Sequence, residues 1–313
     1  MDLNNKKATR QSYGEALVEL GKENNNVVVL DADLAGATKT NMFSKEFPER
    51  FFDMGIAEQD MIATAAGFAT CGKIPFASTF AVFATGRVYD QIRNSICYPN
   101  LNVKIAATHA GVTVGEDGAT HQAIEDIALM RAVPNMNVIC PADQYQTAWA
   151  VEEAIKINGP VYIRLGRCDV PDIYNENSIF EFGKGIELRE GTDVTIIATG
   201  IMVSKALEAS EALSAKGINA RVIDIHTIKP LDTEIIIKAA KETRGIVVAE
   251  EHNIIGGLGG AVAEIVSENC PTKVLRVGIE DEFGQSGKAT ELLEEYGLTS
   301  ENIIKKVQEI LKY

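Results

Sequence analysis

The chain has 313 residues, enough for two domains of ordinary size, and 46% hydrophobic residues is the composition of a folded globular protein. A formal net charge of −14 argues against nucleic acid or an anionic membrane as partner, since both demand a basic face, so an anionic substrate would need a local cluster of cations. The five cysteines are scattered, with no Cys-x-x-Cys pair, and the four histidines show no metal-ligand spacing. These features, with no apolar run long enough to span a membrane and no leader-like apolar start, predict reduced thiols and a cytoplasmic protein.

In chain order, Tyr13, Ala16, Leu17 and Leu20 recur at helical spacing over residues 12–22, and VVVLD at 27–31 has the unbroken apolar character of a buried parallel strand. A short strand at 51–54 is broken by Gly55. From Glu58 onward Met61, Ile62, Ala65, Ala66 and Ala69 repeat at helical spacing, which puts Glu58 in the first turn of a helix. A carboxylate there ordinarily complements the helix dipole, worth about 0.3–1 kcal/mol. Residues 74–93 pass from strand to helix and offer Phe80 and Phe83 three apart, an aromatic wall beside that carboxylate. Strands are also expected at 75–78, 103–108, 137–140 and 161–165, and alternation with helices predicts a parallel sheet covered on both faces.

Residues 109–122, HAGVTVGEDGATHQ, follow a strand with three glycines and two of the chain's four histidines. A long loop at the carboxyl end of a strand is where open α/β sheets place ligands. Arg10 and Arg167 flank the first domain's sequence, each expected just outside a regular element; a lone arginine is ordinarily a surface ion pair. Residues 168–185, rich in Asp, Asn and Pro, mark a boundary, giving domains at 1–170 and 186–313 with a linker at 171–185. A second strand–helix alternation follows, with strands at 194–198, 220–225, 246–249 and 273–277. Within it, EEHNIIGGLGGAVAE at 250–264 does not fit the dinucleotide fingerprint and is read as a tight turn feeding a closely packed helix.

GIAEQDM, STFAVF and GEDG-x-THQ together resemble the transketolase family of thiamine diphosphate enzymes, from about Lys7 to the C-terminus and over only the second half of a full-length member. The resemblance implies a pyrimidine-binding domain plus the family's C-terminal domain, both α/β with mostly parallel sheets. It implies that Glu58 hydrogen-bonds the ring nitrogen of the cofactor's aminopyrimidine, with Phe83, helped by Phe80, packed on that ring. A carboxylate alone in an apolar pocket would have a raised pKa and could share a proton with that nitrogen. Arg10, His109 and Arg167 would hold a substrate phosphate, Asp117 the substrate's C2 hydroxyl, and His121 the reacting end. Glu58, His121 and His109 are thus the catalytic candidates. The family's phosphate-contacting serine falls at Ala37, with Thr38 as the neighbouring hydroxyl that could replace it.

The chain has no Gly-Asp-Gly segment of the kind that holds Mg²⁺ and the diphosphate. The expectation is therefore no metal ligand in this chain, with Mg²⁺ held by a partner. The implied protein is the C-terminal subunit of a two-chain transketolase, paired with an N-terminal subunit in a heterotetramer. It would move a two-carbon ketol unit between sugar phosphates such as xylulose 5-phosphate and ribose 5-phosphate. Deoxyxylulose-phosphate synthase and the beta subunit of a 2-oxoacid dehydrogenase are close rivals. A non-catalytic regulatory subunit would have no need of Glu58, His109, Asp117 and His121 together.

Overall fold

The computed structural model of the chain describes residues 2–312; Met1 and Tyr313, at the ends of the two expected domains, lie outside the described residues. The apolar runs of the first half form one seven-stranded sheet. From edge to edge it runs Thr227–Lys229, Asn137–Ile139, Val161–Arg164, Lys104–Thr108, Ile74–Phe80, Val27–Asp31 and Phe51–Asp53. All neighbours pair in parallel except Thr227–Lys229, which is antiparallel and comes from the second domain. Alternate residues bury on opposite faces: Leu30, Ala77 and Ile105 pack with Met61, Ile62 and Ala65, while Val29, Phe76 and Ala106 pack with Tyr13, Leu17 and Ala150. Both faces are dry, which is why these strands read as continuous apolar runs.

The second sheet has five strands, in the order Val274–Ile279, Ile246–Asn253, Val194–Ala198, Ala220–Asp224 and Ile186–Arg189, the last antiparallel. Helices Met202–Ser214 and Ser300–Leu311 cover one face, Thr233–Glu242 and Leu258–Asn269 the other. Ile246–Asn253 runs four residues beyond its expected end, so the EEHN of the glycine-rich string is strand, and the turn begins only after it. Among the described residues no helix is long and apolar enough to cross a membrane.

Asp2–Ala8, a polar segment without strand signals, pairs antiparallel with Asp169–Asp172, with Ala8 opposite Asp169. This joins the start of the first domain to its end. The stretch expected as a linker is strand to residue 172 and is then tied down: the Asp143 carboxylate accepts from the N–H groups of Ile173 and Tyr174, both at 2.8 Å. The Tyr174 hydroxyl donates to Asp224 Oδ2 at 2.6 Å, as does Gln146 Nε2 at 2.7 Å. Asp224 is fully buried and Oδ1 has no partner among the described residues; burial raises its pKa from 3.8 to about 7.

A carboxyl whose folded-state pKa is raised lends stability below its unfolded pKa and loses it as pH rises through the folded value. Between pH 5 and pH 8 the stability of Asp224→Asn relative to the parent is therefore expected to shift in the variant's favour by about 1 kcal/mol or more, the worth of one pKa unit. Urea unfolding at the two pH values measures this; an unchanged difference would show that Asp224 does not titrate in that window.

Candidate functional site

At the carboxyl ends of the first sheet's strands, three connections converge. Gly55, with φ +67°, turns the chain out of Phe51–Asp53, and helix Glu58–Thr70 starts three residues later. Glu58 is in its first turn and only 3% exposed. After Ile74–Phe80 the chain enters a widened π-type turn, Phe83–Arg87, which sets the rings of Phe80 and Phe83 nearly parallel, with centroids 6.0 Å apart.

The third connection begins at His109, held in the left-handed region at φ 58°. Its ring stacks on Phe80 at 3.8 Å between centroids. Arg10 Nη1, a pure donor, lies 3.4 Å from His109 Nε2, so Nε2 is the acceptor and Nδ1 carries the proton, donating to Thr108 Oγ1 at 2.8 Å. Burial and the nearby cations Arg10 and Arg167 push the His109 pKa down to about 3, leaving a neutral imidazole. His121 returns from the loop to stand edge-on to Phe83 at 5.4 Å, its Nδ1 2.9 Å from Thr120 Oγ1.

Arg10 sits inside helix Thr9–Glu23, in its first turn, not outside a regular element as expected. Arg167 follows strand Val161–Arg164. The pairing of Ala8 with Asp169 brings these two distant arginines to one cavity of about 320 Å³, lined also by Val114, Glu116, Asp169 and Ala289. Burial and the charge of Arg167 lower the Arg10 pKa, and its buried Nε has no partner among the described residues. Two guanidinium groups lining one cavity offer the planar cationic donors that suit an anion, with the carboxylates of Glu116 and Asp169 on the same wall. Arg167 also donates to the Val114 carbonyl and lies 3.4 Å from Glu116 and 3.6 Å from Asp117. Asp117 thus stands beside Arg167.

Thr38 does not take over the missing serine's place. Its hydroxyl is fully buried and donates to Asp31 Oδ2 at 2.6 Å, while Ala37 turns its carbonyl to Arg10 Nη1 at 2.9 Å. Asp31, at the end of its strand, captures the hydroxyls of Thr38 and Thr40 because a buried carboxylate needs donors.

Nor is Glu58 alone in an apolar pocket. Arg87 Nη1 donates to Glu58 Oε1 at 2.7 Å, and its guanidinium carbon lies 4.2 Å from the centre of the Phe83 ring. A buried carboxylate requires a partner, and Arg87, four residues after Phe83, is the cation within reach. The guanidinium is a flat group that donates N–H to Glu58 while lying over Phe83, so this niche accepts a planar hydrogen-bond donor. An aminopyrimidine has those properties when its ring nitrogen carries the proton it shares with Glu58, and the residues present fit it. Among the described residues no group of three or more His, Cys, Asp or Glu side chains is placed to hold a metal ion.

Family models for the transketolase pyrimidine-binding domain and the transketolase C-terminal domain match residues 5–172 and 183–303. A Methanocaldococcus jannaschii protein carrying the provisional name of transketolase C-terminal section is 56% identical over 98% of this chain and 97% of its own length. A 6-deoxy-6-sulfo-D-fructose transketolase subunit of a Clostridium strain is 44% identical over 96% of this chain and 94% of its own. The solved structure of a split-gene transketolase, described as an inactive beta4 tetramer, superposes with a TM-score of 0.92 at 58% identity, covering 97% of this chain and 98% of that one. Whole-length similarity at this level, on a sheet that carries Glu58, His109 and His121 at its carboxyl ends, means that the chain belongs to the transketolase family, of which it comprises the pyrimidine-binding and C-terminal domains.

Proposed function

We propose that the chain is the C-terminal subunit of a two-chain transketolase, transferring a two-carbon ketol unit from a ketose phosphate such as xylulose 5-phosphate to an aldose phosphate such as ribose 5-phosphate. The observation that carries this reading is the continuity between two sites: the Glu58–Phe83 niche connects through Phe80 and His109 to the Arg10–Arg167 cavity. A cofactor ring at one end and a sugar's anionic end at the other are bridged by two histidines. Thiamine diphosphate, when bound, supplies the carbanion chemistry, and the protein supplies placement.

In this reading Phe83 gives the cofactor ring an apolar wall, and Glu58 hydrogen-bonds its ring nitrogen after Arg87 yields the niche. Glu58 holds the proton at that atom. His121, edge-on to Phe83, moves protons at the reacting end of the sugar, and Asp117 binds its C2 hydroxyl. When the anion takes the place of Arg10 Nη1 beside His109 Nε2, the tautomer of neutral His109 reverses. Thr108 Oγ1 then donates to Nδ1, and Nε2–H donates to the anion that Arg10 and Arg167 hold by charge. The Clostridium relative, by its name, takes a sugar bearing a sulfonate; the same guanidinium pair suits either anion, and phosphate is the one proposed here.

Mg²⁺ and the diphosphate belong to a separate N-terminal subunit, because this chain has no Gly-Asp-Gly segment. Two copies of each chain would form a cytoplasmic heterotetramer with two sites. The isolated chain is expected to show no turnover with excess thiamine diphosphate and Mg²⁺, because one hydrogen bond and ring packing cannot offset the cost of immobilising the whole cofactor. Calorimetric titration of the cofactor into the chain alone, then into its mixture with the partner, tests this. Tight Mg²⁺-dependent binding and turnover by the chain alone would refute it.

A further inference from the structure

The loop that carries His109, Asp117 and His121 is gripped by the second domain. Glu251, near the end of strand Ile246–Asn253, is 5% exposed and reaches into the first domain, where Oε1 accepts from the Thr113 N–H at 2.8 Å. Its own backbone is held in turn, since the Glu251 carbonyl accepts from Arg164 Nη2 at 2.9 Å, and Arg164 is fixed by Asp126 at 2.8 Å through Nε. Gly111, at φ +80°, passes so close to the Glu251 carboxylate that a Cβ there would lie 2.2 Å from it. At the other end of the loop Gln122 Nε2 donates to Gln285 O at 2.9 Å, and Gly284 leaves the room that lets Gln122 approach. Asn253 N–H donates to Ile124 O at 2.7 Å just beyond.

Loops that carry reacting groups ordinarily gain precision from rigid elements beneath them. Here the support comes from the other domain. Four backbone positions after His109 and four before Asp117, the Thr113 amide is pinned to a buried carboxylate. A shift at that point would move His109 against Phe80 and Asp117 against Arg167 together.

We propose that Glu251 is a positioning residue for the site, holding the 109–122 loop so that His109, Asp117 and His121 face the same substrate; this rests on the transketolase reading of those three side chains. Glu251 then acts through the loop without touching the sugar, and the C-terminal domain, which also gives Ala289 to the cavity wall, is part of the site's framework.

The test uses the enzyme reconstituted with its partner chain, thiamine diphosphate and Mg²⁺. Glu251→Gln keeps an oxygen for the Thr113 amide, whereas Glu251→Ala removes it. Amide hydrogen exchange is expected to rise roughly 10-fold at residues 110–118 in Glu251→Ala, the scale of one net hydrogen bond, and to stay near the parent value in Glu251→Gln. Strands Lys104–Thr108 and Val194–Ala198 should remain protected in both. kcat/KM should fall about 10- to 100-fold in Glu251→Ala, as expected for a small misplacement of reacting groups, with rescue to within a few-fold in Glu251→Gln. Unchanged loop exchange in Glu251→Ala would overturn the proposal, as would equal losses in the two variants or loosening spread evenly over both sheets. If the parent enzyme turned over no sugar phosphate, the proposed function would fail, while the exchange measurement would still decide whether Glu251 holds the loop.

Discussion

Glu58→Gln, in the enzyme reconstituted with its diphosphate-binding partner, is expected to lower kcat at least ~10²-fold, the usual scale for a positioned acid–base group. Glutamine has the size of glutamate and still offers an oxygen to Arg87, which donates to Glu58 in the isolated chain at 2.7 Å, so the niche should survive. The loss is specific: an amide cannot hold and return a proton at the cofactor's ring nitrogen. The direct check is the exchange rate of the C2 proton of the bound cofactor. If the variant exchanged it as fast as the parent, Glu58 would not have the role proposed for it.

Removing a guanidinium from the anion cavity should act elsewhere, on KM. Arg10→Ala and Arg167→Ala are each expected to raise KM for phosphorylated substrates roughly 10- to 150-fold, from the 1.5–3 kcal/mol of a charge-assisted hydrogen bond. KM for an unphosphorylated donor such as hydroxypyruvate should change little. Arg10 should be the larger effect, because it is half-buried and its Nε has no partner among the described residues. Arg167 is 34% exposed and already shares its charge with Glu116 and Asp117. Equal losses on both kinds of substrate would remove the assignment.

The parts of the fold legible in the sequence were those whose signal is local. VVVLD and the Met61–Ile62–Ala65 spacing are set by burial on one or both faces, and they appear as strand and helix with Glu58 at the helix start. Asp2–Ala8 carries no such signal. It is polar, and it is a strand only because Asp169–Asp172 meets it across the whole length of the domain. The convergence of Arg10 and Arg167 depends on that pairing, so each looked like an ordinary surface arginine until the resemblance grouped them. Arg87 was missed for a different reason: its contact with Glu58 depends on the widened turn Phe83–Arg87, a backbone irregularity without a composition cue. The same holds for Thr38, whose hydroxyl was available in sequence but is claimed by Asp31 in space.

Thr227–Lys229, a strand of three residues, closes the open side of the first sheet by covering Asn137–Ile139. Cutting the polypeptide anywhere between residues 172 and 186 would therefore not release two independent modules. The front fragment would keep its apolar core but bare the backbone donors and acceptors of Asn137–Ile139, a template for pairing with another copy, and such edges drive aggregation. The second domain is thus the chaperone of the first domain's rim, an arrangement that ties the two halves to a common evolutionary fate and makes any shuffling of them between family members a matter of matching sheet edges before matching chemistry.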